Sequence, residues 1–259
     1  MITLKDSFIN IGIGVTANVI FTGLIIAFGW VIYYFTERRK LLLFFNITDT
    51  KRLVIYLSNL RILNGGSIGT DGKRRNYSGS TVVYNEQIAA NKFKEIFNYL
   101  MPSLSESPSF LSKILFADIK VANLPSPLTN FEIESNCTII SIGSPGYNIV
   151  SEEIENYKES QVRMAKGNTE IDIDNVPNFT SGEDGFIQRI IRNTDGTRKC
   201  SFYVAGLSER GTFGAANYLS QNWKILRKKF KDDQSFIILL KFPTSNIDQY
   251  TIILDRKLE

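Results

Sequence analysis

Two short stretches concentrate the residues that could do chemistry. Gly143-Ser144-Pro145-Gly146-Tyr147-Asn148 follows the apolar run Cys137 to Ile142, and Gly206 to Gly214 (GLSERGTFG) follows the run Lys199 to Ala205. Each reads as a glycine-bearing turn between a strand and a helix. Helix starts beyond the carboxyl ends of strands expose N–H groups that favour anions. Glycine lets a ligand come close to the backbone there, and Ser144, Asn148, Ser208 and Thr212 add side-chain hydrogen bonds. Gly143, Ser144, Asn148, Gly206, Gly211 and Thr212 are therefore the candidate ligand-binding residues. The competing reading makes each loop a plain turn; two such turns in one chain shift the balance toward a shared pocket. Neither loop has G-x-G-x-x-G spacing or a P-loop lysine, and Gly65 to Gly72 lacks the spacing of a P-loop, so nucleoside triphosphate hydrolysis is unsupported.

The chain has no histidine and two cysteines. That removes Ser-His-Asp and Cys-His nucleophilic catalysis and histidine-centred zinc sites. Cys137 and Cys200 lie in apolar strand-like runs without a C-x-x-C partner, which suits core residues in a reducing compartment. No metal or cofactor is expected. Carboxylates remain as acids or bases, and Glu152, Glu153, Asp184 and Glu209 stand in or beside the two loops. A carboxylate there could stabilise the oxocarbenium-like centre of glycosidic-bond cleavage. The plainer reading is a solvated acid favoured by a helix dipole. Glu209, held between glycine-containing turns, and Glu153 are the catalytic candidates.

The pair GSPGYNIVSEEIE and YVAGLSERGTFGAANYLSQNW, with Asp184 to Ile187 ahead of the second, resembles a bacterial α/β domain. In that domain a G-[GS]-P-x-x-N loop is paired with a later G-x-x-x-x-G-T-x-[GA]-A-A loop. The resemblance covers roughly Cys137 to Leu226. It implies a Rossmann-like or flavodoxin-like cytoplasmic fold, of the broad group that includes nucleoside deoxyribosyltransferase-like and Toll/interleukin-receptor-like domains. Enzymes of that group use a glutamate in the cleft, and the resemblance does not choose between Glu152 and Glu209. A membrane helix joined to such a domain also looks like effectors of bacterial anti-phage signalling.

The elements that must position these residues follow from periodicity. Arg52 to Leu63, Leu115 to Ala122 and Cys137 to Ile142 read as strands, and Asn85 to Leu100 has apolar residues at helical spacing. A helix starts near Ser151, and Val162 to Val176 suggests a hairpin. Asn193-Thr194-Asp195-Gly196 is a turn between Phe186 to Arg192 and Lys199 to Ala205. A helix runs through Leu219, Trp223 and Leu226, and Phe236 to Phe242 with Tyr250 to Asp255 closes the chain as an antiparallel pair. The expected fold is α/β: a mixed, mainly parallel sheet flanked by helices.

Ahead of this stands Ile9 to Phe35, inside a stretch with no charge between Asp6 and Glu37. As a helix it spans roughly 40 Å, against a hydrocarbon core of about 30 Å. Trp30, Tyr33 and Tyr34 suit a lipid–water boundary, and Arg38, Arg39 and Lys40 place the C-terminal side in the cytoplasm by the positive-inside bias. A signal peptide would carry its positive charge on the other flank. The expected organisation is a short extracytoplasmic tail at 1–8, a transmembrane helix at 9–35, a juxtamembrane linker at 36–50 and a cytoplasmic α/β domain at 51–259. Location in the plasma (inner) membrane, as a single pass, follows. Thr16, Asn18 and Thr22, with the small residues Gly23 and Ala27, suit self-association of the anchor. A formal charge of +4 without a basic stripe interleaved with aromatics argues against nucleic-acid binding. The expected function is a membrane-anchored sensor or effector binding a nucleotide-like or sugar-phosphate ligand. The alternatives are an enzyme cleaving an N-glycosidic bond and a non-catalytic membrane assembly protein.

Overall fold

A computed structural model describes residues 4–47, 52–58, 67–68, 74–75, 83–100, 119–123, 137–164, 169–174, 176–179, 183–194, 196–243 and 246–258. The chain divides into two compact units, Met1–Lys40 and Leu41–Glu259. The first consists of helix α1 (Leu4–Phe44) up to Lys40. From Asn18 onward this helix is long and apolar enough to cross a membrane, and Val19, Phe21, Leu24, Ile26 and Phe28 lie exposed on it. Trp30 and Tyr34 stack at 5.6 Å between ring centroids.

The second unit is a seven-stranded mixed sheet with the strand order β12-β11-β9-β10-β5-β1-β4. Its strands are β1 (Arg52–Leu57), β4 (Ile119–Asn123), β5 (Cys137–Ile142), β9 (Asp184–Thr194), β10 (Thr197–Gly206), β11 (Phe236–Lys241) and β12 (Thr251–Lys257). The strands β4, β1, β5 and β10 are mutually parallel, whereas β9 and β12 each run antiparallel to their neighbours. The mixed α/β sheet expected from the sequence is therefore present. All six residues of β5 are buried, as befits a central strand covered on both faces. The expected closing pair, β11 with β12, is antiparallel, and Gly196 takes a positive φ of 71° in the β9–β10 hairpin.

Helices α2 (Tyr84–Leu100) and α4 (Glu209–Lys229) cover one face, and α3 (Ile149–Glu155) covers the other. On the first face Phe93, Phe97, Leu219 and Trp223 pack with Leu53, Ile55, Ile140, Phe202 and Phe236. Leu41, Phe44 and Phe45 belong to this core as well, so the last turn of α1 is part of the second unit. On the other face Val150 and Ile154 meet Val54, Tyr56, Ile139 and Tyr203. The hairpin expected over Val162 to Val176 is one half of a three-stranded antiparallel sheet of β6 (Val162–Met164), β7 (Ile171–Ile173) and β8 (Val176–Phe179). Pro177 in the last strand did not prevent pairing there, because β8 is an edge strand. A two-residue ladder joins β2 (Ser67–Ile68) to β3 (Arg74–Arg75). The rest of the Gly65–Gly72 loop, the end of the first expected strand after Ser58 and the start of the second before Ile119 lie outside the described residues.

Cys137 and Cys200 carry buried thiols, 5% and 1% exposed. In the intact protein in detergent neither should react with an aromatic disulfide reagent on the minute scale, and both should react at once in denaturant. Rapid native labelling of either would show that its strand is not in the core.

A candidate ligand crevice at the carboxyl edge of the sheet

The strands β1 and β5 end level with one another, Leu57 in register with Ile142, and β10 runs two residues past Val204, the partner of Ile142. The next helix after β1 is α2 and the next after β10 is α4, both on one face, whereas the helix after β5, α3, lies on the other. The edge between adjacent parallel strands whose helices depart to opposite faces is where open α/β sheets as a class bind ligands. Ser58, Gly143 and Gly206 stand at this edge, directly after their strands or as the last strand residue.

The least expected group here is Glu86, in the first turn of α2. It is 5% exposed. One carboxylate oxygen accepts the Ser58 backbone N–H at 2.7 Å and the other accepts the Ser58 hydroxyl at 2.8 Å. Burial pushes its pKa up to about 7, against the lowering effect of the two Ser58 hydrogen bonds, and the charge of Glu209 adds a smaller upward push. Gly143 makes this packing possible. Its φ is +114°, a region side chains rarely adopt, and a Cβ there would run into the Ser58 hydroxyl and the Glu86 carboxylate. On the α4 side, Asn85 Nδ2 donates to Glu209 Oε2 at 3.2 Å. Two helix starts thus bring two carboxylates, Glu86 buried and Glu209 exposed, to the same edge. Glu86 was not among the candidates read from sequence. Its one signal is an acid in the opening turn of a helix that follows an apolar strand, which ordinarily denotes a solvated dipole partner.

The structure distributes the sequence candidates differently from one another. Gly143 lies against Glu86 and Ser58, and its N–H donates to Val204 O at 2.9 Å, tying the two glycine loops to one edge. Ser144 is half-buried, and its carbonyl accepts from the N–H groups of Tyr147 and Asn148, closing a turn. Asn148 is the N-cap of α3. Its side-chain oxygen accepts from Val150 and Ser151, and its amide nitrogen donates to Ile142 O at 2.8 Å and Tyr56 O at 3.2 Å. All four of its bonds serve the fold. Gly206 and Gly211 let backbone approach backbone, since a Cβ on either would strike the other segment or the Asp184 carbonyl. Ser208 caps α4 by accepting from Gly211 N–H at 3.1 Å, and Thr212 is buried one residue further on. Asp184 is buried at the start of β9. Glu152 and Glu153 are exposed on α3, the helix of the opposite face.

An accounting of the backbone donors decides what this edge can hold. The N–H groups of Gly143, Tyr147, Asn148, Val150, Ser151, Glu152, Leu207, Gly211 and Thr212 all have partners within the protein, and that of Ser58 is taken by Glu86. Those groups are taken out of any phosphate cradle at this edge. The carboxyl groups of Glu86 and Glu209 stand at the same edge. A carboxyl pair suits hydroxyl groups, which donate to it, or a positive charge. Among the described residues no group of three or more Cys, Asp or Glu is placed to hold a metal ion.

The raised pKa of Glu86 has a definite sign in stability. Below about pH 4.5 its carboxyl is neutral in folded and unfolded chains alike; as pH rises toward 7 the unfolded chain ionises first, so stability falls until both forms are charged. Unfolding of the detergent-solubilised protein should therefore lose about 3 kcal/mol between pH 4.5 and pH 7.5 that Glu86→Gln does not lose. Parallel pH profiles for the two proteins would contradict a buried, protonatable Glu86. Gly143→Ala should destabilise by about 2–4 kcal/mol through its backbone conformation and the lost space over Ser58, read from denaturant midpoints at constant slope.

Comparison with known proteins adds no family to this geometry: no family model, no curated protein and no solved structure matches the chain.

Proposed function

We propose that the protein is a membrane-anchored sensor or effector whose cytoplasmic α/β unit binds a nucleotide-like ligand in the crevice beyond β1, β5 and β10. The observation that carries this reading is the buried Glu86 at a sheet edge where neighbouring helices part. Among the described residues Glu86 has no cationic partner, and a buried carboxyl of that kind is a poor structural device, because its charged form is penalised by desolvation. A ligand supplies it with a role. Of the ligands in this class, those gripped by sugar hydroxyls fit better than those gripped by phosphate, since many of the backbone donors at this edge are already bonded within the protein. The basic residues Arg38, Arg39 and Lys40 after the apolar helix support an anchor with the larger unit inside the cell. Asn18, exposed on that helix, supports association of anchors, because an amide in hydrocarbon gains from a partner helix.

A second reading, hydrolysis of an N-glycosidic bond, is favoured by one further observation. A carboxyl that titrates near neutral pH, with a second carboxylate on the adjoining helix, is suited to acid–base work at a developing oxocarbenium ion. In that reading Glu86 is the essential residue and Glu209 assists; Glu153, exposed on α3, would take no part.

One experiment serves both readings. The full chain in detergent would be titrated calorimetrically with adenosine, guanosine, NAD, the matching monophosphates and ribose 5-phosphate, and the mixtures analysed for released base. Binding is expected for nucleosides at least as strongly as for monophosphates, and weakened tenfold or more in Glu86→Gln. If base is released, Glu86→Gln should slow release by a factor of about 10²–10⁴. Silence with every member would count against a nucleotide-like ligand, and equal binding by Glu86→Gln would remove Glu86 from the site.

A further inference from the structure

Arg189 lies at the middle of β9 and is entirely buried. Among the described residues no carboxylate pairs with it, so a desolvated cation is held by other means. Its Nη1 donates to Phe44 O at 3.2 Å, its Nη2 to Lys231 O at 2.5 Å and its Nε to Gln234 O at 2.9 Å. The guanidinium also lies over the rings of Phe44 and Phe236, 5.2 and 5.1 Å from their centroids. Burial draws its pKa below the ordinary arginine value, with nearby Asp232 and Asp233 opposing that effect.

The three carbonyls belong to two separate places. Phe44 is the last residue of α1, and Lys231 to Gln234 is the turn that follows α4, closed by its own bond from Gln234 N–H to Lys231 O at 3.1 Å. Carbonyls at helix ends carry partial negative charge and lack intrahelical donors, so one planar fork satisfies both ends at once. Neither end could leave alone without stranding a charge in an apolar core, which is far costlier than breaking a neutral bond. The surrounding rings reinforce this: Phe230 stacks on Phe236 at 4.4 Å, and Phe44 on Phe236 at 6.4 Å.

We propose that Arg189 is a clasp joining the end of α1 to the turn after α4, so that the two segments are held or released together. The helix α4 begins at the crevice with Glu209 and ends at this clasp. On the ligand reading above, any ligand that moves α4 would be felt at the last turn of α1. The clasp itself stands without that reading, and its test needs no ligand.

The test is hydrogen–deuterium exchange on the full chain in detergent micelles, following peptides over 41–47 and 230–235 with β5 and β10 as internal references. In Arg189→Met both peptides should exchange at least tenfold faster while the two reference strands stay protected. Phe44→Ala, which touches α1 directly, should also speed exchange at 230–235. Should Arg189→Met not fold, Arg189→Lys, which keeps the charge with fewer donors, should show the paired loosening at smaller amplitude. Faster exchange in one segment alone, in neither, or equally throughout the sheet in both Arg189 variants would overturn the proposal.

Discussion

Parallel strands buried on both faces constrain everything built around them. β1, β5 and β10 pair in register, and their residues alternate between two apolar cores. Helices must cover both faces, or apolar surface is left in water. With α2 and α4 assigned to one face and α3 to the other, the edge where the strands end cannot be sealed by a single helix. The candidate site is thus placed by the way the sheet is covered, and the side chains at that edge set its chemistry.

The opposite half of the sheet solves a different problem. β9 and β10 form a long hairpin, and the glycines Gly185, Gly206 and Gly211 allow the first turn of α4 to settle on its end with backbone against backbone. That leaves Glu209 at one end of α4 and the turn captured by Arg189 after the other. Two polar groups that a hydrophobic core would not tolerate alone, Glu86 and Arg189, are therefore near opposite ends of the helix layer. Each is buried for a stated reason: one by its serine partner under a glycine, the other by three carbonyls and two rings.

Much of this architecture could be read from the chain before any coordinates. CTIISI, the turn signal at Asn193 to Gly196 and the helix through Leu219, Trp223 and Leu226 all carry local patterns strong enough to survive tertiary context: the strand, the hairpin and the helix are present, although β9 continues through Thr194 and the hairpin is tighter than expected. The site was less legible, for reasons tied to particular residues. Glycine has one property with two uses, and Gly206 and Gly211 spend it on another stretch of the same backbone. Asn148 offers an amide that sequence cannot tell from a ligand contact, yet its partners are Tyr56 and Ile142. Glu86 was invisible because its burial depends on Ser58, 28 positions earlier, and on the missing side chain at Gly143. Arg189 stood within the expected strand Phe186 to Arg192 with no role assigned, and only the convergence of Phe44, Lys231 and Gln234 explains it.

The bond from Ser58 N–H to Glu86 has a consequence for how such a pocket diversifies. That donor sits at the end of a central strand and opposite the start of a helix, where an oxyanion would otherwise be welcome. The carboxyl occupies it as a built-in surrogate for one. A chain with a small neutral residue at this position would keep the same scaffold while exchanging a preference for hydroxyls or cations for a preference for anions. On the proposed reading, ligand charge is then an attribute of one interchangeable side chain, carried by a scaffold that does not depend on it.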